Sequence, residues 1–245
     1  MKAMILAAGF GERLRPMTEK TPKALVPVAG RPMIEYPLLL LRHAGVKEII
    51  VNLYHLGTQI EDYLEDGTRF GVSIQYSREE RLLDTGGGVL KAKPHLADGA
   101  FIIVNSDVLI DLPLNDLIAF HATHKTVATL VLRPDERAEE FGAIECAEDG
   151  RIHRFLSVDV RSAAVQLSKK RMFTGLQIVE PAIFAYMEEN EAFSLTRTTY
   201  TRLLAAGQPM HGFDYSGFWQ DLGTIERIRQ AEEKLKSGKV RLHYL

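Results

Sequence analysis

The sequence predicts an α/β fold in which a mostly parallel, mixed sheet is covered by helices on both faces. Short apolar runs of strand length, among them Glu48–Leu53 and Phe101–Asn105, alternate with helical patterns through the first half of the chain. The first apolar run leads directly into a glycine-rich loop, which is typical of a central strand. Of the 245 residues, 46% are hydrophobic and 25% are charged, as in ordinary globular proteins.

The elements of the first half follow in order from local signals. Pro32 lies near the first turn of a predicted helix and Gly45 at its carboxyl end, while Pro37 delays or bends that helix. Thr58 and Glu61 have the spacing of a capping box at the start of the next helix. The predicted strands are 2–7, 48–53, 72–76, 101–105 and 127–132, and the predicted helices are 32–44, 58–64, 89–93 and 113–124.

The second half is less regular. The turn signal Asp149-Gly150 predicts a β-hairpin. No repeat or linker divides the chain, so we expect one domain over 1–245 with a functional subdivision near residue 135 and a loosely held end from Ser237. The predicted elements are the hairpin strands 142–146 and 151–155, the strand 172–179, a short helix opening at Pro181, and helices over 195–206 and 225–235.

Charge and cysteine content narrow the class of protein. Lys and Arg number 30 and Asp and Glu 32, a net charge of −2, which argues against a general nucleic-acid binder. Cys146 is the only cysteine, so no intrachain disulfide can form, and we expect a core residue in a reducing, cytoplasmic compartment. No apolar run approaches the ~18 residues of a membrane span. Charge returns early, at Glu12 and Arg13, which argues against a signal peptide.

The stretch LAAGFGERLRPMTEKTPK carries the strongest chemical signal. Gly9 and Gly11 follow the first strand, and Arg13, Arg15 and Lys23 follow the glycines. Glycines let backbone N–H groups approach a phosphate, arginine supplies a fork of donors, and lysine supplies a mobile charge. The loop lacks both the GK[ST] end of a Walker A loop and the third glycine of GxGxxG. It predicts a polyphosphate site of another kind.

Two acidic residues from distant parts of the chain are candidate metal ligands. Asp107 follows the apolar strand FIIVN, and Asp221 lies in GFWQDLGT beside Trp219, which we interpret as a packing residue. Ligands of open α/β sheets bind outside the carboxyl ends of the strands, and Mg²⁺ is commonly held by one or two carboxylates plus phosphate oxygens. Capping of a turn or a helix is the alternative for either residue.

The stretch Asp84-Thr85-Gly86-Gly87-Gly88 precedes a helical pattern. Three glycines in a loop would leave space for a flat base above the backbone. A plain flexible loop is the alternative.

These four segments, in this order, resemble the sugar-1-phosphate nucleotidyltransferases, also called NDP-sugar pyrophosphorylases. The resemblance covers nearly the whole chain. LDTGGG and the compact length are similar to the N-acetylmuramate-1-phosphate (MurNAc-1-phosphate) uridylyltransferases, whereas FGAIECAEDGRI is similar to the mannose-1-phosphate guanylyltransferases. The resemblance implies a Rossmann-like sheet of the nucleotide-diphospho-sugar transferase type, Mg²⁺, an NTP (UTP or GTP) and a sugar 1-phosphate. It leaves the oligomeric state open.

The resemblance also implies roles for particular residues. It makes 1–134 a nucleotide-binding half, with Arg13, Lys23 and Asp107 catalytic and Asp107 and Asp221 binding metal. It makes 135–245 a half that binds the sugar phosphate and ends in a helix. The implied nucleotide contacts are Leu6, Ala7, Ala8, Gly9, Gly11, Arg13, Lys23, Gly86, Gly87 and Gly88, and the implied sugar contacts are Gly142, Glu145, Thr174 and Gly175.

The chain departs from the family at one point. Many members carry Glu-Lys-Pro after the second hairpin strand, with the lysine on the sugar phosphate, whereas this chain has Phe155-Leu156-Ser157-Val158. Lys169 or Lys170 could substitute for that lysine, and an ordinary exposed lysine pair is the alternative.

The expected reaction is NTP + sugar 1-phosphate → NDP-sugar + pyrophosphate. Two other functions stay open: a regulatory module that binds nucleotide sugars without turnover, and a cytidylyltransferase acting on phosphocholine or a similar alcohol phosphate. No membrane or nucleic-acid partner is expected.

Overall fold

The computed structural model describes residues 1–136, 138, 143–162, 165–167, 170–189 and 192–245. The strands, in chain order, are β1 (Lys2–Leu6), β2 (Pro27–Val28), β3 (Arg31–Pro32), β4 (Glu48–Leu53), β5 (Ser73–Arg78), β6 (Phe101–Asn105), β7 (Val108–Ile110), β8 (Ala128–Arg133), β9 (Ile144–Cys146), β10 (Ile152–Phe155), β11 (Val158–Asp159), β12 (Met172–Val179), β13 (Met210–Asp214) and β14 (Trp219–Asp221).

The α-helices are α1 (Glu35–His43), α2 (Gly57–Leu64), α3 (Asp84–Lys91), α4 (Lys93–Leu96), α5 (Leu114–Thr123), α6 (Thr201–Ala205) and α7 (Ile225–Lys236). Among the described residues, short 3₁₀ turns lie at Glu12–Leu14, Met17–Glu19, Lys23–Leu25, Thr68–Phe70 and Pro181–Tyr186, and a π-helical turn lies at Leu195–Tyr200.

The chain forms two compact units that alternate along the sequence. The first unit comprises Met1–Leu82, Ile103–Leu114 and Gly217–Leu245, and the second comprises Leu83–Ile102 and Asn115–Ser216.

The first unit contains β1, β4, β5 and the part of β6 from Ile103 onward, in the sheet order β6-β1-β4-β5. Strand β4 is parallel to both β1 and β5, so the carboxyl ends of these three strands lie at one edge. Leu6 pairs with Asn52 there, and Asn52 pairs with Ser77. The strand β7 pairs with β14 in an antiparallel ribbon, and β2 pairs with β3 in a small hairpin.

In the second unit the order is β13-β8-β12, with β13 parallel and β12 antiparallel to β8. A separate antiparallel sheet has the order β11-β10-β9, and its β9–β10 pair is the predicted hairpin. The mostly parallel, mixed sheet with helices confirms the predicted fold class. Val, Ile and Leu dominate the interior strands because helices cover both faces of such a sheet, and Phe101–Val104 are fully buried.

Several predicted elements are confirmed with small shifts of their ends. Strands β4, β6 and β12 match the prediction, and the helix predicted at 225–235 is α7. The helix predicted at 32–44 begins later, because Pro32 pairs in the β2–β3 hairpin. Pro37 is tolerated in the first turn of α1, where its missing N–H costs no helical hydrogen bond.

The predicted capping box at Thr58 and Glu61 is wrong. Helix α2 begins at Gly57 and is preceded by Leu56 in a left-handed conformation, with no side-chain cap. The Glu61 carboxylate instead accepts a hydrogen bond from Arg78 on β5. An ion pair with a neighbouring strand has replaced a local cap.

Two predicted loose segments are also ordered. The stretch Asp84–Gly88, expected as a loop, forms the first turns of α3. After Ser237, Leu242 and Tyr244 are buried, and the backbone N–H of His243 donates to Asp111 Oδ1 at 2.8 Å. Apolar burial and this hydrogen bond hold the end of the chain to the first unit. Across the described ranges, no helix combines the length and apolar character that a membrane span requires.

Candidate active site

The loop after β1 is folded tightly around Gly11. This residue has φ +66°, and an added Cβ would lie 2.9 Å from both Lys23 Cβ and Thr18 Cγ2. Its carbonyl oxygen accepts hydrogen bonds from Leu14 N and from Thr18 Oγ1, each at 2.9 Å. Glycine is therefore required here both by conformation and by space, and the close approach fixes Lys23 against the start of the loop.

The other glycine of the loop faces outward. Gly9 is exposed, and a Cβ built on it would meet nothing within 4 Å. Four residues later, in the 3₁₀ turn Glu12–Leu14, Arg13 is also exposed. An open backbone beside an exposed guanidinium can accommodate a polyphosphate, as the sequence predicts.

The ribbon β7–β14 brings the two predicted carboxylates together. Asp221 pairs with Val108, the residue after Asp107, and Leu222 N donates to the Asp107 carbonyl oxygen at 2.9 Å. Both residues lie at the same end of this ribbon in the first unit, which also contains the loop. The predicted pairing of two sequence-distant carboxylates is therefore present in the fold.

Each carboxylate has a cationic partner. Lys23 Nζ donates to Asp107 Oδ2, and Arg227 Nη1 donates to Asp221 Oδ2. A Cβ on Gly223 would lie 2.6 Å from Arg13 Nη2 and 2.7 Å from Asp221 Oδ1, so Arg13 reaches the same place. Three cations thus surround two carboxylates, an excess of positive charge that suits an anionic ligand.

These residues fit Mg²⁺ bound together with a nucleotide. No group of three or more His, Cys, Asp or Glu that could hold a metal occurs among the residues described. Two carboxylates at the same end of the β7–β14 ribbon are enough where phosphate oxygens and water complete the coordination, which is the usual arrangement for Mg²⁺ on phosphate substrates. Asp107 and Asp221 would hold the ion here.

A buried polar network, not predicted from the sequence, supports the start of the loop. Asn52 Oδ1 accepts from Ala7 N at 2.8 Å, and Asn52 Nδ2 donates to Glu79 Oε1 at 2.8 Å. Asn52 and Glu79 are only 3% and 8% exposed. The Ala7 N–H therefore already donates to a protein side chain, so a nucleoside bound beside Ala7 would form its hydrogen bonds with other groups. A polar residue within the apolar run IIVNL was the sequence signal for this network.

The glycines 86–88 lie in the second unit, on helix α3. Gly86 N and Gly87 N both donate to the Phe193 carbonyl oxygen, at 2.8 and 3.3 Å. A Cβ on Gly86 would lie 2.3 Å from the Phe193 ring. Close packing against Phe193 therefore explains Gly86, and it leaves Gly87 and Gly88 as the candidate contacts for a base.

Three of the four predicted sugar contacts lie among the described residues, all in the second unit. Glu145 is buried and accepts from Arg154 Nη1 at 2.9 Å. Thr174 Oγ1 donates to the Val131 carbonyl oxygen at 2.9 Å. Gly175 has φ +87° within an irregularity of the β12–β8 pairing. Gly142 lies outside the described residues.

The stretch Phe155-Leu156-Ser157-Val158, which lacks the family's Glu-Lys-Pro, forms a tight hairpin between β10 and β11. Phe155 pairs with Val158, and Leu156 takes a positive φ of 54° in the two-residue connection. Phe155 is buried with its ring edge-on to Tyr200. Phe155 is thus an apolar anchor for this hairpin. Of the suggested substitutes, Lys170 is exposed and Lys169 is not among the described residues.

The lone thiol is a core residue, as predicted. Cys146 is 7% exposed, and burial raises its pKa to about 12. It stays protonated near neutral pH, which excludes it as a thiolate nucleophile.

Comparisons with known proteins identify the family of this chain. The sequence profile of the family described as Nucleotidyl transferase matches residues 2–238. Similar proteins include an N-acetylmuramate alpha-1-phosphate uridylyltransferase of Neisseria meningitidis serogroup B, 37% identical over 95% of this chain and 97% of the relative. A UTP–glucose-1-phosphate uridylyltransferase of Synechocystis is 32% identical over 98% of this chain and 65% of the relative. A mannose-1-phosphate guanyltransferase of Gibberella zeae is 35% identical over 91% and 61%.

The chain therefore belongs to the nucleotidyl transferase family, among the sugar-1-phosphate nucleotidyltransferases. It spans less than two thirds of the Synechocystis and Gibberella relatives and nearly all of the Neisseria one. Among solved structures, a UDP-glucose pyrophosphorylase with UDP-glucose has a TM-score of 0.79 at 19% identity, over 97% of this chain and 98% of the other. An inositol-1-phosphate CTP transferase from T. maritima has a TM-score of 0.76 at 19% identity, over 97% and 96%. These two structures confirm the predicted fold.

Proposed function

We propose that this protein catalyses NTP + sugar 1-phosphate → NDP-sugar + pyrophosphate. The observation that carries the proposal is the grouping, within the first unit, of an open glycine backbone, three cations and two adjacent carboxylates. An oxygen of the sugar phosphate attacks the α-phosphorus in line, and the bond from the α-phosphorus to pyrophosphate breaks on the opposite side. No protein nucleophile is required, because the attacking phosphate is already anionic at neutral pH.

The chain's own residues supply positioning and charge. Gly9 and Gly11 let the backbone approach the triphosphate, and Arg13 offsets the charge that grows on pyrophosphate as it leaves. Lys23 offsets charge at the transferring phosphorus. Asp107 and Asp221 hold Mg²⁺, which neutralises phosphate charge when bound.

For the second unit we propose contacts with the base and the sugar. Gly87 and Gly88 lie beside the base, and Glu145, Thr174 and Gly175 line the sugar pocket. Gly142, which lies outside the described residues, is proposed to join them. We also propose a functional boundary near residue 135. We propose a cytoplasmic location as well, because the buried Cys146 thiol fits a reducing compartment.

We propose UTP and MurNAc 1-phosphate as the substrates, with GTP and mannose 1-phosphate as the alternative pair. The uridylyltransferase similarity supports the first pair, since it extends over almost the full length of that relative at the higher identity. The guanyltransferase similarity supports the second. The hairpin in place of Glu-Lys-Pro implies a sugar pocket unlike that of glucose-1-phosphate thymidylyltransferases.

The test is a matrix of four NTPs against a panel of sugar 1-phosphates, with product mass and pyrophosphate release as readouts. UTP or GTP should exceed dTTP by at least ~10-fold in kcat/KM, a difference of ~1.4 kcal/mol that one or two hydrogen bonds can supply. Dominant formation of dTDP-glucose would contradict the substrate assignment and leave the reaction class standing. Nucleotide binding without pyrophosphate release would favour a regulatory module, and turnover only with phosphocholine would favour a cytidylyltransferase.

A further inference from the structure

Arg227 occupies a position in α7 that helix physics disfavours. Thr224 caps the helix, its Oγ1 accepting from Arg227 N at 3.3 Å, so Arg227 lies in the first turn. A cation there opposes the helix macrodipole, which favours acidic residues at the amino end. The ion pair of Arg227 with Asp221 compensates for this position.

That ion pair uses the oxygens that a metal ion would need. Asp221 Oδ2 accepts from Arg227, and Asp221 Oδ1 accepts from Gly223 N at 3.0 Å. The side chains of Asp221 and Arg227 are 19% and 20% exposed, so solvent and salt screen their attraction less than that of a surface pair. A divalent cation that binds Asp221 through Oδ2 must therefore displace the Arg227 guanidinium or share the lone pairs of Oδ2 with it.

We propose that Arg227 is a positioning residue that occupies the Asp221 carboxylate in the metal-free protein and thereby sets the affinity of the site for a divalent cation. The inference rests on the proposed function only in taking Asp221 as a metal ligand. Lys23 pairs in the same way with Asp107, but Lys23 is also assigned to the transferring phosphorus. Arg227 has no assigned role in the reaction, so a change of Arg227 tests only the competition between its guanidinium and a divalent cation for Asp221.

The experiment titrates the metal-free full chain with Mn²⁺ alone and counts free Mn²⁺ by electron paramagnetic resonance. Replacing Arg227 by Gln should lower the Mn²⁺ Kd about tenfold, because the cation that donates to Asp221 Oδ2 is removed, while Arg13 on the Oδ1 side is unchanged in both proteins. Arg229→Gln is the matched control: Arg229 lies on the same helix, pairs with Glu226 and is 64% exposed. Its Kd should equal that of the unmodified protein.

A double-variant cycle shows whether the effect passes through Asp221. Asp221→Asn should weaken Mn²⁺ binding, and in that background Arg227→Gln should give no further gain. Arg227→Lys keeps a charge but loses the guanidinium fork, so its Mn²⁺ Kd should fall between those of the unmodified protein and Arg227→Gln. If circular dichroism shows that Arg227→Gln does not fold, the Kd of Arg227→Lys decides the question.

Equal Mn²⁺ affinity of Arg227→Gln and the unmodified protein would overturn the inference. So would a gain that persists with Asn at 221, or no detectable Mn²⁺ binding by either protein. The titration contains neither nucleotide nor sugar phosphate. A tenfold shift in a protein that makes no NDP-sugar would therefore refute the proposed reaction alone, whereas an unchanged Kd in an active enzyme would refute this inference alone.

Discussion

The backbone N–H of Leu222 donates a hydrogen bond of 2.9 Å to the carbonyl oxygen of Asp107. This contact extends the β7–β14 ribbon by one residue and sets Asp221 beside Asp107, although the two are far apart in sequence. Backbone pairing is a rigid way to hold two like charges together. Both carboxylates are charge-compensated, Asp107 by Lys23 and Asp221 by Arg227.

The first prediction concerns the carboxylates. Asp107→Asn and Asp221→Asn should each lower kcat by ~10²-fold or more, because each removes charge aimed at the metal and phosphates. Initial rates of pyrophosphate release at saturating Mg²⁺ measure the effect, and circular dichroism checks folding. Asp116→Asn, an exposed carboxylate on α5, is the control and should keep the unmodified rate. Near-normal rates in both site variants would refute the shared metal site.

The second prediction separates the two loop cations. Lys23→Ala should lower kcat with a smaller change in KM, since the proposed interaction strengthens in the transition state. Arg13→Ala should both raise the KM for NTP and lower kcat, because its guanidinium is proposed to contact phosphates that are bound before they leave. Steady-state kinetics with varied NTP distinguish these patterns. Normal kinetics in Lys23→Ala would remove Lys23 from the catalytic residues.

The third prediction compares the two loop glycines. Gly11→Ala should destabilise the fold by about 1–2 kcal/mol for its left-handed backbone, with additional cost from contacts at 2.9 Å. At this chain length each kcal/mol lowers Tm by roughly 2–4 °C. Gly9→Ala meets open space and should keep its Tm while weakening NTP binding. Equal Tm values for both variants would contradict the described loop geometry.

The fourth prediction concerns the close packing of α3. The new methyl of Gly86→Ala would lie 2.3 Å from the Phe193 ring, which should cost about 1–3 kcal/mol in packing. Alanine gains ~1 kcal/mol over glycine in a helix, so the net destabilisation should reach up to about 2 kcal/mol. Gly99→Ala, where a Cβ meets nothing within 4 Å, is the control for thermal melts. A rise in Tm for Gly86→Ala would show that Phe193 moves aside at little cost.

The fifth prediction is a pH dependence from the second unit. Burial lowers the pKa of His211 below its usual 6.5, and the neighbouring His124, Arg151 and His121 lower it further, while Asp149 acts in the opposite direction. Between the depressed folded pKa and 6.5 the unfolded chain binds more protons, so this stability is present above pH 6.5 and is lost as pH falls. Thermal melts at pH 7.5 and 5.5 measure the loss.

His211→Phe should reduce that difference in Tm between the two pH values, because phenylalanine cannot take up the proton. The exposed His43, changed to Asn, is the control and should leave the difference unchanged. An undiminished difference in the His211 variant would assign the acid sensitivity to other groups, such as His121, whose pKa burial also lowers.

Sequence patterns within a few residues correctly predicted those strands and turns that depend only on neighbouring residues. The run FIIVN is a strand because its apolar side chains suit a sheet buried on both faces, and Asp149-Gly150 makes its hairpin because the turn needs those residues. Where a distant partner competes, local signals failed. The Glu61 carboxylate accepts a hydrogen bond from Arg78 and does not cap its helix. The glycines 86–88 lie in a helix whose first turns pack against Phe193.

By itself the sequence determined the alternating α/β order, and it predicted a phosphate-binding glycine loop with Asp107 and Asp221 as candidate acidic partners. Residue type and spacing carry that information, because they decide burial, backbone freedom and charge. Only the tertiary structure decided that Arg227 occupies Asp221, that Asn52 holds the Ala7 amide, and that the end of the chain is fixed at Asp111. Each of these contacts joins groups whose proximity depends on strand pairing and helix placement, and no local pattern encodes that proximity.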